Sequence, residues 1–180
     1  RLDREFCRLA GKEAIADATL SLGRIFQQRG LGLKQQDATP AGDIGMGALL
    51  PALSDHVIQR LMELTRQKGH RGLKLSFGQV LTLIGPSGGR IQQIASIHDV
   101  SKQAVSAIAT ELEALGYLRR EADPLDARQI VLRFTARGDQ LIADSVTSVT
   151  ELEVEFAAII GQAALRRLNS TLRQLYHGLH

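Results

Sequence analysis

The sequence has 180 residues and a formal net charge of +3, with 44% hydrophobic and 23% charged residues. This apolar fraction suffices for a packed core and excludes a wholly disordered chain. No apolar run approaches the roughly 18–20 residues of a membrane span, and the charged N-terminus is unlike a signal peptide. Because the basic excess is small, a nucleic-acid interface has to be argued from the positions of the charges.

Cysteine and histidine usage argues against a disulfide framework and a metal site. Cys7 is the only cysteine, which fits a reducing, cytoplasmic setting, and we interpret it as an ordinary free thiol. The five histidines show no H-x-x-x-H spacing, so no metal ligand set is expected. No serine has a nucleophile-elbow context and no carboxylate pair lies in a recognisable active-site frame, so we do not expect an enzyme.

The first 80 residues or so are predicted to contain an arm and two further helices. Residues 1–50 form the arm: apolar spacing predicts a helix over residues 2–29, and the glycine-rich residues 30–47 indicate a linker. A second helix is expected over residues 51–69, because a proline suits its first turn. Residues 76–79 have the pattern of a capping box and predict the start of a short helix.

A helix-turn-helix is predicted over residues 91–115. Residues 91–97 supply the first helix, Asp99 occupies the turn, where a short polar residue tolerates a left-handed conformation, and Ser101 is a natural N-cap for the second helix. The residues predicted to face the core are Val105, Ile108, Leu112 and Leu115. The residues predicted to point outward are Lys102, Gln103, Ser106, Ala107 and Thr110. Such a small, polar outward face fits the major groove, which is about 12 Å wide.

A β-hairpin and two long helices are predicted to follow. The strands are expected at residues 117–121 and 130–134, joined by a charged loop at residues 123–128. A hairpin behind a helix-turn-helix is typical of a wing that contacts DNA backbone or minor groove. Thr135 is expected to cap a helix over residues 136–160, and a final helix follows. These two helices have more apolar surface than one small core needs, which indicates a partner subunit.

These features, in this order, resemble the MarR (multiple antibiotic resistance regulator) family. The segments that carry the resemblance are Leu73-Lys74-Leu75-Ser76-Phe77-Gly78-Gln79-Val80-Leu81, Ile94-Ala95, Val100-Ser101, Val105-Ser106, Leu112-Glu113-Ala114-Leu115-Gly116-Tyr117, Asp123-Pro124-Leu125-Asp126-Ala127-Arg128 and Phe134-Thr135-Ala136-Arg137-Gly138. Each segment is weak evidence alone, but the ordered set is specific. The resemblance implies a mainly α fold with a small β-hairpin wing, a winged helix-turn-helix whose N- and C-terminal helices form a dimerisation region.

The resemblance also implies a function in gene regulation. It predicts a homodimer that binds a pseudo-palindromic operator in double-stranded DNA, usually as a repressor, and that is released by a small phenolic or other organic effector. Carried over by position, the residues in the major groove are Ser101, Lys102, Gln103 and Ser106, and the outward-facing Ala107 and Thr110 complete the predicted DNA-binding set on this helix. Arg128 would be the wing-tip arginine in the minor groove, where negative potential favours its guanidinium.

The family pattern also divides the chain. Within residues 51–180 it places the DNA-binding lobe at about residues 73–138 and the dimerisation helices at about residues 51–70 and 136–180. Residues 1–50 have no counterpart in the family. The sequence leaves open whether they form a dimerisation arm, a ligand lid or an inhibitory segment.

Several departures from the family pattern keep a second hypothesis open. His98 and Asp99 stand where the family usually has leucine and glycine, and Leu125 and Ala127 stand where basic residues are common. Residues 90–137 hold seven basic and six acidic side chains and are therefore nearly neutral. The alternative is a winged-helix protein-interaction module without autonomous DNA binding.

Overall fold

The computed structural model describes residues 2–30, 45–123 and 126–179, without the side chains of Leu2, Ala127 and Arg128. The helices are α1 (Leu2–Ala10), α2 (Lys12–Arg29), α3 (Met46–Gln67), α4 (Gly78–Leu81), α5 (Ile91–Ile97), α6 (Lys102–Ala114), α7 (Ala136–Ile160) and α8 (Gln162–Leu179). The strands are β1 (Gly89–Arg90), β2 (Leu118–Asp123) and β3 (Asp126–Phe134). The predicted mainly helical architecture with a β-hairpin is confirmed.

The chain divides into two compact units. One unit comprises Arg1–Leu61 together with Val149–His180, and the other is Met62–Ser148. We call the first the arm unit and the second the winged-helix unit. Among the described residues, no helix is long and apolar enough to cross a membrane.

In the arm unit, α1 and α2 pack on each other and on α8. The prediction of one continuous helix over residues 2–29 is wrong, because Gly11 has a φ of 87° that no helix accepts, and α2 begins after it. Gly30 ends α2 in the left-handed conformation expected of a C-terminal glycine cap. The buried apolar residues of α1, α2 and α8 are Phe6, Ile15, Ala18, Leu22, Ile25, Phe26, Leu165, Leu168 and Leu175.

Helix α3 begins at Met46, earlier than the predicted start at Pro51. Met46, Leu49 and Leu53 are buried at helical spacing, and the burial of this stripe favours a longer helix than the proline indicated. Asp3 fixes the helix start, because its carboxylate accepts a hydrogen bond of 3.2 Å from the backbone N–H of Gly47. Most of the predicted linker, residues 31–44, lies outside the described residues.

The core of the winged-helix unit is apolar and continuous. Its buried residues are Leu73, Phe77, Val80, Ile84, Ile94, Ala95, Val105, Ala109, Leu112, Tyr117, Leu118, Leu132 and Leu141. The predicted capping box is wrong: Ser76 lies inside a 3₁₀ turn over Leu75–Phe77, and its side chain caps no helix. The backbone conformation of this turn is determined instead by the burial of Phe77, which is 1% exposed.

The sheet of the winged-helix unit has three antiparallel strands in the order β1-β3-β2. The two-residue strand β1 carries no periodic signal and was not predicted from the sequence. Gly88 precedes it at a φ of 91°, and a Cβ there would overlap the Val131 side chain, so the close approach of β1 to β3 requires glycine.

The hairpin strands are longer than predicted. Asp123 pairs with Asp126 at the end of the β-ladder, so the predicted loop over residues 123–128 is wrong at both ends. Asp123 belongs to β2, and the residues from Asp126 to Arg128 belong to β3. Tyr117 precedes β2 instead of starting it, and its side chain is fully buried.

Candidate nucleic-acid interface

Local backbone chemistry sets the start of α6. Asp99 adopts a φ of 51° in the turn after α5, as predicted for a short polar residue. The Val100 N–H donates to the Ala95 carbonyl at 3.0 Å and closes the turn over that buried alanine. The Ser101 hydroxyl accepts from the Ala104 N–H at 3.1 Å, which confirms the predicted N-cap.

The N-terminal half of α6 presents most of the predicted contact residues to solvent. The exposed ones are Ser101, Lys102, Gln103, Ala107 and Thr110, and Ser106 is half-buried. On the opposite face Val105, Ala109 and Leu112 are buried, whereas the predicted core residues Ile108 and Leu115 are only partly buried.

Arg120 of β2 ties the wing to α6 through two of the predicted contact residues. Its guanidinium donates to the Ser106 carbonyl at 2.9 Å and to the Thr110 hydroxyl at 3.0 Å. Its Nε lies 3.0 Å from a carboxylate oxygen of Glu113. Ser106 and Thr110 therefore have a packing role that the sequence pattern did not predict, and Arg120 is a fixed internal link.

Further arginines of the sheet are also paired. Arg119 and Arg133 stand directly opposite each other in the β-ladder, and Glu121 lies between them, 2.6 Å from the first Nε and 2.8 Å from the second. The pKa of Glu121 is lowered, first by its hydrogen bond from Arg119 and then by the charges of both arginines. One carboxylate thus compensates a like-charge pair that would otherwise weaken the hairpin.

Lys102 differs from these cations because it has no such partner. Within the part of the chain that the structure describes, no acceptor or carboxylate contacts its ammonium group, and the side chain is exposed. By contrast, Lys74 forms an ion pair with Glu111 near the other end of α6. The ammonium group of Lys102 is therefore free to meet a ligand at the N-terminal end of α6, where the helix dipole adds to its positive potential.

Arg128 lies in strand β3 instead of at a loop tip. Its side chain lies outside the described residues, so its predicted minor-groove contact stays a prediction. Leu125 of the predicted wing loop lies outside the described residues altogether.

A buried polar network joins the segment after α3, the segment after α6 and helix α7. His70 is 4% exposed; its Nδ1 lies 3.2 Å from the Tyr117 hydroxyl and its Nε2 lies 2.8 Å from an Asp144 carboxylate oxygen. The pKa of Asp144 is lowered, mainly by the hydrogen bonds from His70 and Gln140. Sequence reasoning missed this network because its members are 47 and 74 residues apart from His70 and match no spacing motif.

A second polar cluster lies in the arm unit. Glu155 of α7 accepts from Arg29 at 2.6 Å and from Arg60 at 2.7 Å, and all three side chains are about three-quarters buried. Hydrogen bonding by Arg60, and then by Arg29, lowers the pKa of Glu155 against the opposing effect of burial. His56 lies near this cluster, with its ring 6.4 Å from that of Phe156, and burial together with the charge of Arg29 lowers the pKa of His56.

Cys7 is a half-buried free thiol. Among the described residues, no three His, Cys, Asp or Glu side chains are grouped so as to hold a metal ion.

Comparison with known proteins finds a family model that the winged-helix unit matches. Residues 71–129 match the model of the MarR family. The chain superposes on the crystal structure of MarR with a TM-score of 0.58 at 22% sequence identity, covering 81% of this chain and 95% of that one. No curated protein sequence matches the chain. The family resemblance derived from the sequence is thus confirmed.

Two further structures share the fold. A MepR mutant from S. aureus, solved bound to an oligodeoxyribonucleotide, gives a TM-score of 0.55 at 17% identity and covers 77% of this chain and 100% of its own. CouR from Rhodococcus jostii RHA1, solved bound to p-coumaroyl-CoA, gives a TM-score of 0.53 at 21% identity, with 72% and 90% coverage. At these identities the likeness establishes the fold.

Proposed function

We propose that this chain, whose residues 71–129 match the MarR family model, is a cytoplasmic transcriptional regulator that binds double-stranded DNA. The observation that carries the proposal is the N-terminal turn of α6: it is exposed, capped by Ser101, and carries the unpaired cation of Lys102 beside Gln103. The fold is shared with MepR, a mutant of which has been solved with an oligodeoxyribonucleotide.

The chemistry of this turn suits base-edge recognition in the major groove. A lysine donates to the O6 and N7 acceptors of guanine, and a glutamine forms two hydrogen bonds with adenine. The Ala107 methyl group is small enough to contact a thymine methyl. The Ser101 hydroxyl oxygen is already used as the cap, so its proton remains available to donate to a phosphate.

The wing would supply the second contact. Arg128 is proposed to enter the minor groove, where narrow A·T tracts concentrate negative potential. Arg120 would act indirectly, because it fixes the hairpin to α6 and so sets the distance between the recognition helix and the wing.

We further propose that the active form is a homodimer that represses transcription. Two copies of α6 about one DNA turn apart would read a pseudo-palindromic operator. A small organic effector, of the phenolic class, would release the DNA by binding more tightly to a dimer whose recognition helices have the wrong spacing. CouR, which has this fold and was solved with p-coumaroyl-CoA, supports an effector of this kind.

Selection from a random duplex pool tests the proposal. The purified chain is incubated with the pool at moderate salt, and the bound duplexes are sequenced. We expect an inverted repeat with half-sites about one helical turn apart. Recovery of no motif, with weak binding to the whole pool even at low salt, would rule out autonomous sequence-specific DNA binding.

A protein-interaction module is the second candidate. The paired state of Arg90, Arg119 and Arg133 favours it, because these side chains form ion pairs with carboxylates of the same unit. Such a module would give no salt-dependent affinity for duplex DNA, so the same selection, repeated at two salt concentrations, separates the candidates.

A further inference from the structure

The hydrogen-bonding capacity of the His70 network fixes where its protons lie. The Tyr117 hydroxyl has one proton to donate, and its oxygen is approached by His70 Nδ1 at 3.2 Å and by an Arg137 guanidinium nitrogen at 3.5 Å. Arginine only donates, so the Tyr117 proton finds an acceptor when the His70 ring is neutral and its Nδ1 is unprotonated. The ring proton then resides on Nε2 and is donated to the Asp144 carboxylate at 2.8 Å.

Protonation of His70 upsets this arrangement on one side. The new proton on Nδ1 points at the Tyr117 oxygen, so the hydroxyl group has to rotate until its own proton points away from Nδ1. In the described part of the chain, the only other group at this oxygen is Arg137, a donor. Because Tyr117 is 0% exposed, its hydroxyl proton would be left without an acceptor in a buried site.

Tyr117 occupies the junction between the recognition helix and the wing. Its N–H donates to the Leu112 carbonyl at 2.9 Å, which closes the end of α6, and its carbonyl accepts from the Thr135 N–H at 3.1 Å. Strand β2 begins at the next residue. A change at the Tyr117 ring therefore acts on both elements that contact DNA in the proposed function, the recognition helix and the wing.

We propose that His70 is a proton-sensitive positioning residue: the neutral ring holds Tyr117 and with it the junction of recognition helix and wing, and protonation releases this hold and weakens DNA binding. The inference rests on the proposed function for its effect on DNA, and on geometry alone for its effect on Tyr117.

The groups that face the ring determine its response to pH. Asp144 and Gln140 of α7 lie on the Nε2 side, and Lys68, near the end of α3, acts on Asp144 through its charge. Tyr117 faces Nδ1, and Arg137 of α7 lies over the tyrosine ring, 5.0 Å from its centre. The Asp144 carboxylate attracts positive charge on the ring, whereas the buried hydroxyl and the Arg137 guanidinium do not, so the measured pH profile reflects the whole network and not the His70 ring alone.

The test measures DNA affinity from about pH 8 to about pH 5.5, the range in which histidine changes charge, at constant ionic strength. The probe is the duplex recovered by selection. We expect the wild-type affinity to fall about tenfold toward low pH, as loss of one buried hydrogen bond allows. His70→Gln, which cannot titrate, and Tyr117→Phe, which has no hydroxyl proton to lose, should both flatten the profile. His98→Gln, in the same unit, is the matched control and should keep the wild-type profile.

A profile that stays steep in His70→Gln, or that flattens in His98→Gln instead, would overturn the inference. Nitrogen NMR of the His70 ring tests it on the unmodified protein: the proton must be on Nε2 at neutral pH, and a proton on Nδ1 refutes the network. Failure of the wild type to bind any duplex would count against the proposed function alone. Hydrogen exchange of the Tyr117 amide, corrected for intrinsic rate, would then decide: faster exchange on acidification supports the hold on Tyr117, and unchanged protection overturns it.

Discussion

The Arg90 Nε lies 2.6 Å from an Asp123 carboxylate oxygen, and the aspartate is only 4% exposed. Arg90 is on β1 and Asp123 ends β2, the two outer strands of the sheet, so the ion pair reaches across β3. It fixes the far end of the hairpin to the strand that leads into α5. The Arg90 side chain therefore orients the wing, although its positive charge alone would suggest a contact with DNA.

Asp123→Asn should destabilise the winged-helix unit by about 1–3 kcal/mol, because it removes a charge-assisted hydrogen bond from a buried position. Urea denaturation measures the change. Asp99→Asn is the matched control: this aspartate is exposed at a φ of 51°, which asparagine tolerates, so a change within about 0.5 kcal/mol is expected. Equal effects of the two substitutions would show that the Arg90 pair contributes nothing.

Lys102→Ala should weaken DNA binding and reduce the slope of log affinity against log salt by about one ion equivalent. The reason is that Lys102 is the exposed cation of the proposed probe, without a carboxylate partner among the described residues. Affinity is measured by fluorescence anisotropy at several salt concentrations. Lys12→Ala, an exposed lysine of the arm unit, should leave both quantities unchanged. If the two variants behaved alike, α6 would not be the recognition helix.

Arg128→Ala should have a similar effect on the salt slope, about one ion equivalent, and should relax sequence preference in A·T-rich flanks. The same anisotropy titration, on duplexes with A·T-rich and G·C-rich flanks, measures both. Unchanged affinity together with an unchanged slope would disprove the assignment of Arg128 to the minor groove.

The sequence predicted features that depend on adjacent residues, but it did not predict features that depend on contacts between residues far apart in the chain. The Ser101 cap and the left-handed Asp99 depend on a few adjacent residues, so the sequence pattern identified them. Arg120 is one of the seven basic side chains between residues 90 and 137, and its bond to Ser106 was not predicted, because a contact between a strand and a helix produces no periodic sequence pattern. The start of α3 was misplaced for a related reason: the buried stripe that includes Met46 outweighed the local preference of a proline.

Gly138→Ala should be strongly destabilising, by about 1–3 kcal/mol or more, because overpacking forces backbone shifts. A Cβ at this position would overlap the Tyr117 carbonyl oxygen and lie 2.8 Å from Phe134 Cδ1. Gly78→Ala is the matched control, since its Cβ would meet nothing within 4 Å. There the alanine should be neutral or stabilising by up to about 1 kcal/mol. Thermal denaturation of both variants measures the difference, and a tolerated alanine at position 138 would contradict this packing.

The arm unit should lose stability on mild acidification through His56. Burial, reinforced by the charges of Arg29 and Arg60 and opposed by that of Glu155, lowers the pKa of His56 below its usual 6.5. The unfolded chain therefore binds the proton first, and the free energy of unfolding rises with pH in this window. This contribution is fully present above about pH 6.5 and is lost as the pH falls through the lower pKa of the folded state.

His56→Gln should remove that part of the pH dependence, measured as the urea midpoint between about pH 7.5 and about pH 5. The window lies above the one in which Glu155 titrates, because the pKa of Glu155 is held below its usual 4.5. His177→Gln, at an exposed position of α8, is the matched control and should keep the wild-type dependence. A pH dependence that was undiminished in His56→Gln would mean that another group titrates on unfolding, and that burial of His56 has no energetic consequence.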